Sequence, residues 1–320
     1  MVDIIKFLVS IPAGFVLTYL LLRFLPGEKD LLGHDRGRKF AEGSSVNIGK
    51  PTGVGFYFVL VFALVSLATV PLTLKFALTV ALIVICMIFG FLDDRSAAPW
   101  GEYIKGFLDF VVAIAGGILL AKTCAVISLT GNCISVNRYL YAVLAVLLIV
   151  ASINATNATD GVDGLSGTLT ILTLATLTSA AAINKTLTLT KAQPAVIMIA
   201  VLLAYLIFNH YPSKMLMGDA GSRAIGFFIA FYAISLNIPF AYLIVGLPFL
   251  LDGGISIVKI TVGRLTHKKI ILFKNITTPI HDHLKKRLGY TVPKTWTTIV
   301  CAASIIDVVY LAALALINLL

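Results

Sequence analysis

ALTVALIVICMIFGFL, residues 77–92, runs for sixteen positions without a charge and then meets Asp93-Asp94-Arg95. A run of this length and composition matches the hydrocarbon thickness of a bilayer when it is helical. It lacks the alternation of apolar and polar positions that a membrane barrel strand needs. It therefore reads as a membrane helix that delivers two adjacent carboxylates to the membrane edge.

Similar runs recur along the whole chain. The 320 residues are 59% hydrophobic and 12% charged, with a mean hydropathy of +0.98, whereas soluble domains carry roughly 25% charged residues. The pattern predicts one all-α, polytopic membrane domain over residues 1–320. Ten spans are expected, at about 3–24, 53–71, 74–92, 104–122, 138–156, 164–182, 193–208, 222–236, 239–262 and 294–318. The turn at Asn237-Ile238-Pro239 separates the eighth from the ninth, and merging those two would give nine. Residues 4–24 resemble a signal peptide in length, but Arg23 follows the run and no small-residue cleavage site leads into a soluble domain, so the run reads as the first span.

Lys and Arg set the orientation. Of 25 such residues, the segments on one side hold all but Lys6, Lys75, Lys122, Arg138, Lys185 and Lys191. The rich side is then cytoplasmic and both termini are extracytoplasmic. This bias accounts for most of the +10 net charge without a nucleic-acid partner. Cys86 and Cys301 fall inside spans as packing residues. Cys124 and Cys133 share one outer loop, where a disulfide is one possibility.

NATNATDGVDG, residues 154–164, contains two glycosylation acceptors, at Asn154 and Asn157. On the cytoplasmic side they need another purpose. The same face receives Asp93 and Asp94 from FGFLDDR, Asp160 and Asp163 from TDGVDG, and Asp219 from FNHYPSKMLMGDAGS. Carboxylates gathered at a membrane edge are functional candidates by default. A basic loop, HKKIILFKNITTPIHDHLKKRLGY, adds His267, His281 and His283. The turns GKPTGVG (49–55) and GDAGS (218–222) bring glycines that let backbone N–H groups approach an anion. Carboxylates with cations suit phosphoryl transfer assisted by Mg²⁺, which takes one or two carboxylates plus water and phosphate oxygens.

GKPTGVG, FGFLDDR, NATNATDGVDGL, FNHYPSKMLMGDAGS and TPIHDHLKKRLG, in that order over residues about 45–292, resemble the polyprenyl-phosphate N-acetylhexosamine-1-phosphate transferases. The resemblance implies an enzyme of a bacterial inner membrane that moves a phospho-sugar from a UDP-sugar onto undecaprenyl phosphate with Mg²⁺, and a homodimer is known in the family. It implies a catalytic set of Asp93, Asp94, Asp219, His281 and His283, with Asp219 as the metal ligand and Asp93 as the base that keeps the lipid phosphate ionised. Lys105, Asn157, Asp160, Gly161, Val162, Asp163, Asn209 and Leu216 would line the substrates, the segment 161–163 meeting uridine. The motif versions are most similar to the branch that uses UDP-MurNAc-pentapeptide; the branch using UDP-GlcNAc is the alternative.

Three positions depart from the family pattern. Asp282 replaces the middle His of a triplet, Ala97 replaces a Lys, and Leu216 replaces an aromatic on which uracil would stack, an interaction worth about 1–3 kcal/mol elsewhere. They motivate a second reading, a non-catalytic homologue. A third, a transporter, would need ionisable residues at mid-membrane, for which Asp109 and Asp252 are the available acids.

Overall fold

The computed structural model describes residues 2–24, 32–35, 47–123, 126–128, 133–267, 269–270 and 272–319. Of the sequence readings, those on Lys29, Arg36, Arg38, Lys39, Lys268 and Cys124 fall outside the described residues, and with Cys124 goes the Cys124–Cys133 pairing.

Every expected apolar run is helical. The elements are α1 (Val2–Phe24), α2 (Gly55–Thr69), α3 (Leu74–Arg95), α4 (Glu102–Thr123), α5 (Arg138–Thr159), α6 (Leu165–Ile183), α7 (Leu189–Asn209), α8 (Gly218–Ser235), α9 (Pro239–Val245), α10 (Leu247–Phe249), a π-helical turn (Leu250–Gly254), α11 (Ile255–Leu265), α12 (Ile280–Leu288) and α13 (Val292–Leu319). Two short antiparallel pairs interrupt the helices: β1 (Gly33–His34) with β2 (Pro51–Thr52), and β3 (Val126–Ser128) with β4 (Cys133–Ser135). Polar residues start the helices where the apolar runs begin. Thr73, Asn137 and Thr188 each accept backbone N–H groups from the first turn of α3, α5 and α7, satisfying donors that the helix itself leaves open.

By length and apolar composition, seven of the described helices can cross a membrane, and eight if the ninth expected span counts as one segment. That segment is bent by 59° between Pro239–Val245 and Leu247–Leu265. The bend falls at Gly246 and Pro248, ahead of the π-turn; Pro removes a helical donor, and π-turns recur where helices kink. The expected second span is a 15-residue helix, short of a full crossing.

α8 is the axis of the bundle, with every residue from Asp219 to Ile234 buried. Its neighbours come close because glycine stands at each crossing. A Cβ on Gly90 of α3 would run into the backbone of Asp219 and Ala220, one on Gly55 of α2 into that of Gly221, and one on Gly226 would meet Ile153 of α5. Small residues at helix crossings permit backbone approach in a membrane, where apolar area alone does not drive association. The Ser152 hydroxyl bonds across the same contact, to the Gly226 carbonyl at 2.6 Å and the Tyr242 hydroxyl at 2.6 Å. Away from the crossings, rings fill the core, as in Phe58 on Tyr205 and Phe62 on Phe228, with centroids 5.1 and 5.2 Å apart. The outer faces of α1 and α13 leave Leu8, Leu17, Val308 and Leu316 exposed, as lipid-facing helices do.

Candidate active site

The glycine crossings determine which helix ends meet. α3 ends beside the start of α8, and α5 ends beside the same point, so Asp93, Asp94, Asn157 and Asp219 gather at one pole of the bundle. Asp94 caps α8 from outside it: its carboxylate accepts the N–H of Asp219 at 3.1 Å and of Ala220 at 3.0 Å. An anion at a helix N-terminus satisfies open donors and opposes the positive end of the dipole. Gly218 has φ of +66°, and a side chain there would collide with the Asp94 carboxylate.

Asp93 and Asp219 share one cation. Lys105, at the start of α4, pairs with Asp93 and lies 2.9 Å from Asp219 Oδ2. Asp93 also accepts the Trp100 N–H at 2.6 Å. Asp219 Oδ1 accepts the Asn157 amide at 2.8 Å, and that amide reaches Ser222 Oγ at 2.9 Å. A second cation, Arg223, donates to Asp219 Oδ2 at 3.2 Å and to Asp109 Oδ1 at 2.6 Å. Asn154 completes the set through Asp109 Oδ2 at 3.3 Å. Asn154 and Asn157 are thus site residues inside α5, which removes the glycosylated-loop reading. A small cavity lined by Phe89, Asp93, Trp100, Lys105, Leu108 and Arg223 opens beside the cluster.

A second group forms where the 210–217 segment folds back. Asn209 Oδ1 accepts the Gly164 N–H at 3.0 Å, and its amide donates to the Met215 carbonyl at 2.8 Å. Asp163 accepts the Ser213 N–H at 2.9 Å, and Lys50 reaches Ser213 Oγ at 3.0 Å. Leu216 is half-buried and pairs by backbone with Pro51 and Val54. Asn209 and Val162 are buried, so both support this segment from behind, while Gly161 is exposed at its surface. Asp160 closes the end of α5 through its N–H to the Asn157 carbonyl.

α12 brings the histidines. His281 packs its ring against Gly161, and its Nδ1 lies 2.8 Å from Asp252 Oδ2. His283 Nδ1 accepts the Thr277 N–H at 3.2 Å. Asp282, which sequence comparison reads as a charge reversal, is paired within its own helix with Lys285 at 3.2 Å and Lys286 at 3.0 Å. Partial burial raises the cost of its charge, but the Lys286 hydrogen bond, His281 and Lys285 outweigh that and hold the carboxyl below its ordinary value. The charge is compensated where it stands. Ala97 is exposed in the turn after α3.

Sequence reading missed Arg223 and the roles of Asp109 and Asp252. The spacing held a signal: Arg223 lies four residues after Asp219 and Asp109 four after Lys105, the interval that puts helical side chains on one face. Asp109 and Asp252, the mid-span acids of the transporter reading, are partners of Arg223 and His281 instead. Asp307 is a third such acid, buried in α13 with a bond to Thr176.

Carboxylates opposed by a lysine and an arginine gather at one pole of a helical membrane bundle, an arrangement suited to charged substrates at a membrane edge. A family model described as glycosyl transferase family 4 matches residues 76–237. A phospho-N-acetylmuramoyl-pentapeptide-transferase of Treponema pallidum (strain Nichols) is 32% identical over 298 residues, covering 87% of this chain and 81% of the relative. The enzyme of that name from Lactobacillus acidophilus is 38% identical over 111 residues, 35% of this chain and 33% of its own. The chain belongs to glycosyl transferase family 4, among relatives named for phospho-N-acetylmuramoyl-pentapeptide transfer. It is a multi-pass membrane enzyme, a phospho-sugar transferase.

Proposed function

We propose that this enzyme transfers phospho-MurNAc-pentapeptide from UDP-MurNAc-pentapeptide to undecaprenyl phosphate, giving lipid I and UMP, at the cytoplasmic face of a bacterial inner membrane. The observation that carries the reading is the shared cation, Lys105 between Asp93 and Asp219. It joins the helix end assigned to the lipid phosphate to the helix end assigned to the metal. Counting α2 and α8 as short passes beside the seven long helices and the bent segment gives ten, and the charge bias then supports both termini outside. The site's pole then faces the cytoplasm, where a UDP-sugar is found. A homodimer, as the family resemblance implies, would cover part of the lipid-facing surface.

The donor set suits a magnesium ion. Among the described residues no group of three or more His, Cys, Asp or Glu forms a metal cage, and Mg²⁺ does not need one. Asp219 and Asp93 would hold it. Among the described residues, four carboxylates, Asp93, Asp94, Asp109 and Asp219, gather with two cations, Lys105 and Arg223, a donor set rich in the hard oxygens that Mg²⁺ prefers. When bound, the ion supplies charge neutralisation on the diphosphate as UMP departs.

The chain's own residues do the rest. An oxygen of the acceptor phosphate attacks the donor's β-phosphorus, and the bond from that phosphorus to the oxygen of UMP breaks. Asp93 keeps the acceptor phosphate ionised. Lys105 moves its hydrogen bonds from carboxylate to phosphate oxygens as charge shifts, and fixed cations of this kind stabilise phosphoryl transfer. Gly161, Asp163 and Leu216 form the nucleotide wall, and His281 and His283 reach the diphosphate and sugar. The likeness to relatives named for phospho-N-acetylmuramoyl-pentapeptide transfer supports the pentapeptide-sugar donor.

UMP release by detergent-purified protein with undecaprenyl phosphate and Mg²⁺ tests this, with UDP-MurNAc-pentapeptide and UDP-GlcNAc in separate reactions. Release with the first is expected. Release with UDP-GlcNAc alone would overturn the donor assignment and move the protein to the sister branch.

A further inference from the structure

His281 is held by a carboxylate that the family motifs do not include. Asp252 lies in the π-turn between α10 and α11, 2% exposed. Its Oδ1 accepts the backbone N–H of His281 at 2.7 Å, and its two oxygens lie 3.1 and 2.8 Å from His281 Nδ1. One carboxylate therefore fixes both the chain and the ring of the same histidine. Because a carboxylate only accepts, Nδ1 carries the hydrogen, and Nε2, 3.8 Å from Asp282 Oδ1 and beyond hydrogen-bond distance of it, is the ring's working nitrogen.

The ring packs closely on the turn after α5. Its Nε2 edge lies on Gly161, where even a methyl group would collide with Nε2 and come 2.8 Å from Cε1. Gly161 is exposed, so this edge borders the open face of the turn after α5. The anchor is closely packed as well. Gly253, next to Asp252, packs on the backbone of Ala155 in α5, two residues before Asn157. The π-turn is thus keyed to the same helix that carries the Asn157 contact to Asp219. Irregular helical turns of this type recur at functional sites.

We infer that Asp252 is a positioning residue for the transfer reaction, locking the tautomer and direction of His281 so that Nε2 faces the donor at Gly161. The inference rests on the transfer reaction proposed above. Asp252 touches no substrate; it acts through the histidine, and its negative charge supports the ring whenever Nε2 takes a proton or a strong hydrogen bond from a phosphate.

Two readouts test this on the intact, purified protein. The first is the tautomer, from nitrogen-15 NMR of histidine-labelled protein, with the resonance assigned by its loss in His281→Gln. Wild type is expected to show the Nδ1–H form, and Asp252→Asn a mixture. An unchanged tautomer in Asp252→Asn overturns the inference, and this arm decides even if no donor tested is turned over. The second is kinetic. Asp252→Asn is expected to lower kcat/KM by roughly 10–100-fold, by analogy with the loss of a hydrogen-bond partner that orients a metal-ligating histidine. The Asp252→Asn/His281→Gln double variant should be no slower than His281→Gln alone. Losses that multiply in the double variant, or full activity in Asp252→Asn, overturn it. Should Asp252→Asn fail to fold, Asp252→Glu keeps the charge but shifts it, and is expected to lower kcat while KM holds; an unchanged kcat overturns the inference.

Discussion

The ammonium of Lys105 lies between the carboxylates of Asp93 and Asp219, linking the end of α3 to the start of α8. If the cation spreads charge in the transition state, Lys105→Met should lower kcat by about 10²–10³, the typical cost of removing one preorganised donor. The comparison of kcat with KM for each substrate checks it. A loss confined to KM would assign Lys105 to ground-state binding alone.

Arg223 and Asp109 form a buried pair, with side chains 7% and 6% exposed. Removing Asp109 leaves Arg223 only the longer contact to Asp219; breaking a buried pair outright costs about 3–5 kcal/mol, which sets the upper bound here. Asp109→Leu should therefore lower the melting temperature in detergent sharply. Asp109→Leu with Arg223→Leu should recover part of that loss, because Asp219 keeps Lys105 and Asn157. A double variant less stable than Asp109→Leu would contradict the pairing.

The α3–α8 crossing depends on Gly90. A methyl group there meets the backbone of Asp219 and Ala220, and backbone does not yield as a flexible side chain does. Overpacking costs typically about 1–3 kcal/mol, and here the strain falls on the residue that bears the metal assignment. Gly90→Ala should reduce both melting temperature and UMP release. Gly106→Ala, at a position with open space, is the matched control and should change neither.

Asp282 gives a pH prediction. Its folded value is depressed, so the stability it lends α12 is full above the unfolded carboxylate value, about 4. It is lost as pH falls from there through the lower folded value. Hydrogen exchange in Ile280–Leu288 should accelerate over that window in wild type, and Asp282→Asn should flatten the response. Equal acid sensitivity in both proteins would contradict the assignment.

The transmembrane helices were legible because each is a long apolar run, and the Asp93–Asp94 pair because it ends one. The motif order placed Asp219 and the histidines on one face. Three features were not legible. The 59° bend at Gly246 and Pro248 lies within a run that stays apolar on both sides, and a hydropathy window does not sense a bend. The shortness of α2 was hidden because apolar residues continue past Thr69 while the helix does not. The pairs Arg223–Asp109 and His281–Asp252 join residues 114 and 29 positions apart, and only the glycine crossings and the π-turn bring them together. Asp282 shows the opposite case: compared motif by motif it reads as a lost cation, whereas helical spacing to Lys285 and Lys286 already contained its compensation.

The most direct test of the proposed centre is UMP release with undecaprenyl phosphate, UDP-MurNAc-pentapeptide and Mg²⁺, comparing wild type with Asp219→Ala and Asp93→Ala in protein whose folding is verified by melting temperature. The account predicts release by wild type and near-complete loss in both variants. Near-normal release by both variants would contradict it.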